Sequence, residues 1–479
     1  MVLSCLIPTR EVGVVWCVAM MAFTFQFESA LVAVSLPDVA RELSVSASSV
    51  SVVLLSYLVG AVITFVPAGK LGDRYGLRIV CLAGCVLAAS GTILCGVAQS
   101  IEALVAGRLI QGIGAGGFVA AGYAMIPTWV SPERVGWGYG MQSLGAGVGM
   151  VAGVPAGGLL SNFLTWQWIF LASVPISTAL LAVAWSVLPG SQQQALARGA
   201  DIRWGPVSMF AALMVGITFI LCGGPVFGWT SPLVLIVFGG GLVLMAGLWI
   251  ADRAGSRLFS RQLFSSMTTV PAFAAMFLMA AVAGGVRYVL PFYLEIGCGL
   301  SILMSSYLLL VHPLFYAPVS LVAGRLSDWL GSRSIVLAAT SLGIMSTMGF
   351  ALALSRFEAA EALAFMAAFG MATGLFFAPA NRLIMAPIPK LLRGEAGGAL
   401  SIVFNLGTLL GVAIFQLLLT WPSAGIRVPE AGFGSGSENG ELAFGFCFAL
   451  GGLLGILALL CAMQVKVDKP SAVTPPPSD

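Results

Sequence analysis

The 479-residue chain is 59% hydrophobic and only 9% charged, against the roughly 25% of ordinary soluble domains, so it cannot cover the outside of a water-soluble globule. A mean hydropathy of +1.01 over the whole length makes lipid the solvent for most of it. The net charge of +3 gives no footing for nucleic acid, and the nine cysteines show no C-x-x-C pair and no ladder in polar loops, so they read as small hydrophobes rather than disulfides or metal ligands.

The first apolar run, from about Val12 to Leu36, is longer than a signal-peptide core and lacks a small-residue cleavage site, which makes it a retained helix. Further apolar runs of about 20 residues place spans near 12–35, 49–68, 79–98, 101–129, 137–161, 168–188, 204–223, 231–251, 268–294, 300–323, 334–354, 358–386, 396–419 and 443–463. That predicts an all-α membrane protein of fourteen transmembrane helices, because backbone in hydrocarbon has to satisfy its own hydrogen bonds and barrel strands would alternate with period two. The proline-containing tail, 464–479, is expected to be disordered and cytoplasmic.

Orientation is tested by where Lys and Arg collect. With a cytoplasmic N-terminus, 16 of the 22 basic residues fall on inside loops and tails; Arg41, Arg356 and Arg427 fall outside, and Arg108, Arg287 and Arg382 lie within spans. A miscounted helix would scramble the later loops, so the asymmetry supports an even count with both termini cytoplasmic.

The loop after the second span reads Gly69-Lys70-Leu71-Gly72-Asp73-Arg74-Tyr75-Gly76-Leu77-Arg78, and the loop after the tenth reads Gly324-Arg325-Leu326-Ser327-Asp328-Trp329-Leu330-Gly331-Ser332-Arg333. At a constant offset of 255, Gly, Leu, Asp, Gly and Arg recur in order. A tight hairpin explains the pattern: glycines allow the turn, the Asp faces a neighbouring helix N-terminus, and the basic residues anchor at headgroups. Repeated halves are the usual build of secondary transporters, in which two bundles rock around a midplane site. The offset spans eight helices, so two are inserted between six-helix halves. The expected organisation is an N-terminal six-helix bundle over 1–188, a linker with two inserted helices over 189–267 (about 204–223 and 231–251), preceded by the polar stretch Gly190 to Gln194, and a C-terminal six-helix bundle over 268–463.

The segment Gly69 to Arg78 resembles the signature loop of the major facilitator superfamily, and other stretches resemble its fourteen-helix drug/proton antiporter branch. Arg108-Leu109-Ile110-Gln111-Gly112 looks like the family's Arg-x-x-Gln-Gly motif, which the resemblance associates with proton coupling. Trp166-Gln167-Trp168-Ile169-Phe170, with Val174-Pro175-Ile176, looks like the start of the branch's sixth helix, with Gln167 where a basic residue is usual. Phe27-Glu28 followed by Ser35-Leu36-Pro37 is similar to its first-helix acidic motif, with Glu where Asp is commoner. Gly140, Gly149, Gly153, Gly157 and Gly158 keep the spacing of its antiporter motif, with the proline one place later, at Pro155. Read from the residues alone, Gly145, Gly149 and Gly153 form a stripe that lets another helix approach closely, and Pro155 bends the end.

Of the nineteen acids only Glu28 sits well inside a span, so it should be paired, protonated or lining a wet cavity. Glu28, Arg108 and Arg287 each lie about seven residues, or about 10 Å, from the outer end of their helices. They are expected to form one charged cluster in the outer half of a central cavity, with Glu28 exchanging the proton and the arginines switching its proton affinity as the bundles rock. The competing reading is a set of permanent ion pairs that only fix helix packing. His312, beside Pro313, is a relay or packing candidate; Gln111, Gln142 and Asn405 are candidates for cavity hydrogen bonds or interhelical ties, as are Gln26 and Gln416. Phe23, Phe25, Tyr57, Met279, Tyr288, Phe292, Tyr293, Phe376 and Phe377 could line a greasy, adaptable site or simply pack.

The resemblance implies a proton-driven antiporter of the plasma (inner) membrane that exports small amphipathic compounds, drugs included, acting as a monomer among membrane lipids. One acid against two arginines also suits a carrier of an organic anion, metabolite or lipid-like solute. No H-E-x-x-H, G-x-S-x-G or P-loop occurs, so neither an enzyme nor an ATP-driven pump is expected, and no metal or organic cofactor, only the proton gradient.

Overall fold

The computed structural model describes residues 9–43, 47–163, 165–190, 202–227, 231–255, 258–264, 269–300, 302–353, 359–419 and 438–465. The tail beyond 465, the polar linker residues 191–194 and several loop arginines lie outside them. The described residues form the helices α1 (Thr9–Glu42), α2 (Ala47–Tyr75), α3 (Leu77–Gly96), α4 (Ile101–Trp129), α5 (Val135–Phe163), α6 (Gln167–Val187), α7 (Trp204–Phe227) and α8 (Pro232–Arg253). They continue with α9 (Arg261–Phe264), α10 (Thr269–Phe292), α11 (Ile302–Leu309), α12 (Val311–Leu330), α13 (Ser332–Ala353), α14 (Ala359–Met385), α15 (Arg393–Leu419) and α16 (Glu438–Gln464).

Thirteen of these helical stretches are long and apolar enough to cross a membrane. The fourteenth long helix, α5, runs over 29 residues and carries nine glycines. Local signals set the ends. Ser100 caps α4 by accepting the Ala103 amide at 3.3 Å, and Ser231 does the same for α8 with Val234 at 3.4 Å, just before Pro232.

The repeated segments are helical for most of their length, where a loop was expected. α2 runs to Tyr75 and α12 to Leu330, and a single residue separates each from the next helix. Those residues are Gly76 (φ 98°) and Gly331 (φ 83°), one repeat apart, in a backbone region that side chains rarely adopt. Apolar content alone ends a span at its first charge, whereas the hydrogen-bonded helix continues until the backbone turns. The tenth span is also divided, at Leu310, into α11 and α12.

Packing repeats between the halves. In the first, α1 lies on α5 and α6, α4 on α2 and α3, and α3 on α6; in the second, α10 lies on α15 and α16, α14 on α12 and α13, and α13 on α16. The halves meet along two seams, α2 with α15 and α5 with α12. The inserted helices pack on each other, and α7 also lies on α2 and α15, so the pair flanks one seam and not the other. α8 shows Leu235, Ile236, Phe238, Val243, Trp249 and Ile250 on its outside, the face a lipid-facing helix presents.

Candidate functional site

Three groups of residues stand out where the helices converge. The first closes the two seams on the side of the repeated segments. Asp73, in the last turn of α2, accepts the amides of Gly394 at 2.7 Å and Glu395 at 2.8 Å, at the start of α15. Asp328, in the last turn of α12, accepts those of Gly136 and Trp137, both at 2.8 Å, at the start of α5. Each carboxylate meets the positive end of a helix from the other half, where unpaired amides and the helix dipole favour an anion. Lys70 pairs with Glu395 at 3.7 Å and Arg382 with Asp328 at 3.4 Å. A methyl group at Gly69 would strike the backbone of Gly394, and one at Gly136 that of Gly324, so glycine permits both close approaches. The expected meeting of Asp and helix N-terminus is therefore found twice. Gly76 and Gly331 serve the turns, while Arg78 and Arg333 reach the carbonyls of Trp185 and Met463 at 2.8 and 2.6 Å. Arg74 lies near the ring of Tyr75.

The second group is buried inside the first half. Glu28 (1% exposed) and Arg108 (0%) sit among α1, α2, α3, α4 and α6. Ser177 donates to Glu28 Oε1 at 3.1 Å. Arg108 donates from Nη1 to Gln111 Oε1 at 2.7 Å and from Nε to the Val53 carbonyl at 3.4 Å, and Gln111 donates to Thr92 at 2.9 Å. The guanidinium lies 4.3 Å from the centre of the Tyr57 ring, a cation–π contact. Glu28 and Arg108 are electrostatic neighbours without a closed ion pair: Glu28 Oε2 and Arg108 Nη2 have no hydrogen-bond partner among the described residues.

The third is a cavity between the halves. α1 (Met21, Ala22, Phe25, Gln26), α4 (Val119, Gly122, Tyr123) and α5 (Gln142, Ser143, Ala146, Met150) line one wall. α10 (Ala283, Arg287), α12 (His312, Tyr316), α14 (Thr373, Phe377, Asn381) and α15 (Phe404, Asn405) line the other. Most of these helices present i, i+4 stripes, so one face of each reaches the cavity. Arg287 Nε donates to the Ala283 carbonyl at 3.0 Å, His312 Nε2 meets Thr373 Oγ1 at 3.2 Å, and Asn405 donates to the Ser401 carbonyl at 2.8 Å. Phe377 and Phe404 pack edge to face, 5.2 Å apart.

The expected single cluster of Glu28, Arg108 and Arg287 does not form. Arg287, His312, Gln142, Asn405 and Gln26 line the cavity, whereas Glu28, Arg108 and Gln111 are sealed within the first half. α1 runs on to Glu42, past the expected end of the first span, so Glu28 lies farther from that end than the expected seven residues, and position along a helix says nothing about direction: Glu28 lies about 200° around α1 from Gln26. Of the aromatic and methionine candidates, Phe25 and Phe377 line the cavity; Met279, Tyr293 and Phe376 are buried in the core, Tyr57 packs under Arg108, and Phe23 stacks on Phe27. Reasoning from sequence passed over Ser177, Thr92, Tyr123, Ser143, Tyr316, Thr373 and Asn381. The i, i+4 pairs Ser173–Ser177 and His312–Tyr316, polar residues in apolar spans, were the available signal.

The glycine stripe of α5 does what its spacing suggested. Gly145, Gly149, Gly153 and Gly157 meet the backbone of α1 at Ala19, Phe23, Phe27 and Leu31. Gly136, Gly140 and Gly147, on another face, meet α12. Pro155 is exposed and Gly158 follows within the same helix.

Comparison with known proteins agrees with this architecture. A putative multidrug resistance protein MdtD of Serratia proteamaculans is similar at 26% identity over 410 residues, 84% of either chain. The riboflavin transporter RibZ of Clostridioides difficile is similar at 26% over 82% of this chain and 85% of its own. Among solved structures, the human organic anion transporter MFSD10 (TETRAN) shares the fold with a TM-score of 0.69 at 16% identity, covering 95% of this chain and 100% of that one. The proton:xylose symporter XylE does so with a TM-score of 0.67 at 15% identity, covering 94% and 95%. The family model of the Major Facilitator Superfamily matches residues 18–412, and with two repeated helical halves around a central cavity, the chain belongs to that superfamily.

Proposed function

We propose that this chain is a proton-coupled secondary active transporter, an antiporter that exports small amphipathic compounds, drugs among them, by alternating access. It works as a monomer in the plasma (inner) membrane, with both ends of the chain cytoplasmic. It is a carrier, not an enzyme, and the proton gradient is its energy source. One observation carries the reading: an aromatic and methionine-lined cavity between the halves lies apart from a carboxylate buried within one half. Such a cavity accepts amphipathic solutes of varied shape. A similar chain is named a multidrug resistance protein and another a riboflavin transporter, so likeness alone does not select the solute.

Glu28 exchanges the proton. Ionised, it is drawn to Arg108, and the two unpartnered atoms Oε2 and Nη2 complete an ion pair after a small shift. Protonated, it loses that attraction and keeps the Ser177 contact. The cavity wall follows, because Tyr57 lies against both Arg108 and Phe25, its ring 5.6 Å from that of Phe25, which lines the cavity. The side closed by Asp73 and Asp328 opens in the alternate state. The test is Glu28→Gln in proteoliposomes with an imposed pH gradient: gradient-driven movement of solute is lost while solute binding persists. Full coupling in that variant overturns the proposal.

The second reading, a carrier of an organic anion, metabolite or lipid-like solute, is favoured by Arg287 in the cavity wall.

A further inference from the structure

Arg287 is the one cation among the cavity-lining residues, and no carboxylate lines the cavity among the described residues. Its Nε is taken up by the Ala283 carbonyl one turn back on α10. The two terminal nitrogens have no hydrogen-bond or ion-pair partner among the described residues, and they are not sealed off, since the side chain borders open space. A guanidinium in the middle of a membrane span is costly unless something of opposite charge meets it, and elsewhere in this chain such charges are met. Arg382 has Asp328, and Arg108 has Gln111, the Tyr57 ring and Glu28 nearby.

The neighbours of Arg287 do not supply the missing charge. Tyr316 and His312 lie within its electrostatic reach. The Thr373 hydroxyl donates to the carbonyl of Phe369 at 3.0 Å or Gly370 at 3.1 Å, so its oxygen accepts from His312 Nε2–H, and an imidazole carries no negative charge in either of its ordinary forms. Gln142, Asn381 and Asn405 offer amides, and Gln142 Oε1 has no partner among the described residues. Gln26 and Ser143 add an amide and a hydroxyl, and the rest of the wall is apolar or aromatic.

We infer that Arg287 is the anion-recognition residue of the cavity, and that the solute is a small organic acid or zwitterion whose carboxylate, or an equivalent planar anion, meets the guanidinium fork while its aromatic or aliphatic body lies on Phe25, Phe377 and Phe404. This rests on the carrier reading above and narrows it. A fork of parallel donors suits a two-oxygen anion, and the excess positive charge repels a permanent cation.

The test compares two dyes that differ only in one group: rhodamine B, which carries a free carboxylate, and its ethyl ester, which does not. Binding to the purified full-length chain in lipid nanodiscs is read by fluorescence anisotropy. The acid should bind about 10- to 100-fold more tightly than the ester, the range of a hydrogen-bonded charged contact. In Arg287→Gln the preference should fall to within about threefold, and Arg287→Lys should retain part of it as a point charge. Equal affinities in the unaltered chain, a preference for the ester, absence of saturable binding of the acid, or an undiminished preference in a well-folded Arg287→Gln protein would each overturn the inference. Gradient-driven transport of the ester without preference for the acid would remove this inference and leave the carrier reading standing. Acid-selective binding without gradient-driven movement of either dye would do the reverse.

Discussion

At Gly149 a single methyl group would be driven into the carbonyl oxygen of Phe23, whereas at Gly240 on α8 it would meet nothing within 4 Å. Both are glycines inside helices, and helix propensity alone favours alanine at each by roughly 0.5–1 kcal/mol. The neighbour decides the sign. Gly149→Ala should destabilise by roughly 1–3 kcal/mol, because two backbones are forced apart. Gly240→Ala should be neutral or slightly stabilising. Thermal unfolding of the two variants in the same detergent checks the contrast; equal shifts would contradict the α1–α5 packing. The same scale separates the two buried charges of the first half from Arg287. Spacing revealed that Glu28 and Arg108 lay deep in their helices, and the resemblance placed both near the coupling machinery. That Arg287 belongs to a different site depended on which way each side chain leaves its helix, and α1 and α10 had to be packed before that existed.

Among the elements, the ends of α2 and α12 carry the main consequence. Asp73 and Asp328 each hold two amides of a helix that belongs to the other half. Hydrogen bonds of this charged kind contribute about 1.5–3 kcal/mol each in favourable settings, less where water competes. Asp73→Asn keeps one acceptor oxygen and loses the charge, so it should weaken closure on that side by roughly 1–2 kcal/mol, which moves the open-to-closed ratio about tenfold. Asp328→Asn should act alike, and the double variant should come close to the sum because the two seams share no partner. Spin labels at Tyr75 and Lys390, which lie in opposite halves, would report the longer-distance population; no change in it would contradict the latch. The repeat of Gly, Leu, Asp, Gly and Arg was plain in the sequence, and so was the affinity of the Asp for some helix N-terminus. The partner was not. Gly394 lies 321 residues beyond Asp73 in the chain, and no local pattern spans that distance.

For the whole molecule, the fourteen long helices among the described residues make an even number, and under the proposed topology they return the chain to the side it started from. Cysteines placed near both ends should therefore react with a membrane-impermeant thiol reagent from one side only, the side of Asp73 and Asp328; labelling from opposite sides would remove a helix from the count. The inserted pair makes the two seams unequal, since α7 lies along α2 and α15 while α5 and α12 have no such cover. Removing 202–264 and rejoining the halves should thus loosen the α2–α15 seam more than the other, as judged by disulfide trapping across each. Pairs that trap equally in both seams would show that α7 contributes nothing to that contact.

Composition and the run lengths determined by themselves that this is a helical membrane protein, because lipid imposes one rule on every span and the rule is local; the segments repeated at an offset of 255 pointed to two halves with two added helices between them. The buried carboxylate, the glycine stripe and the paired Asp signatures were legible for the same reason: each is a short pattern with a physical cost that demands a partner. Only the tertiary structure decided the partners. It turned Glu28 into the first half and Arg287 into the cavity, set α5 against both α1 and α12, and joined Asp73 to α15. Those outcomes depend on the direction of side chains around each helix axis and on contacts hundreds of residues apart, which the order of residues along one strand of chain does not display.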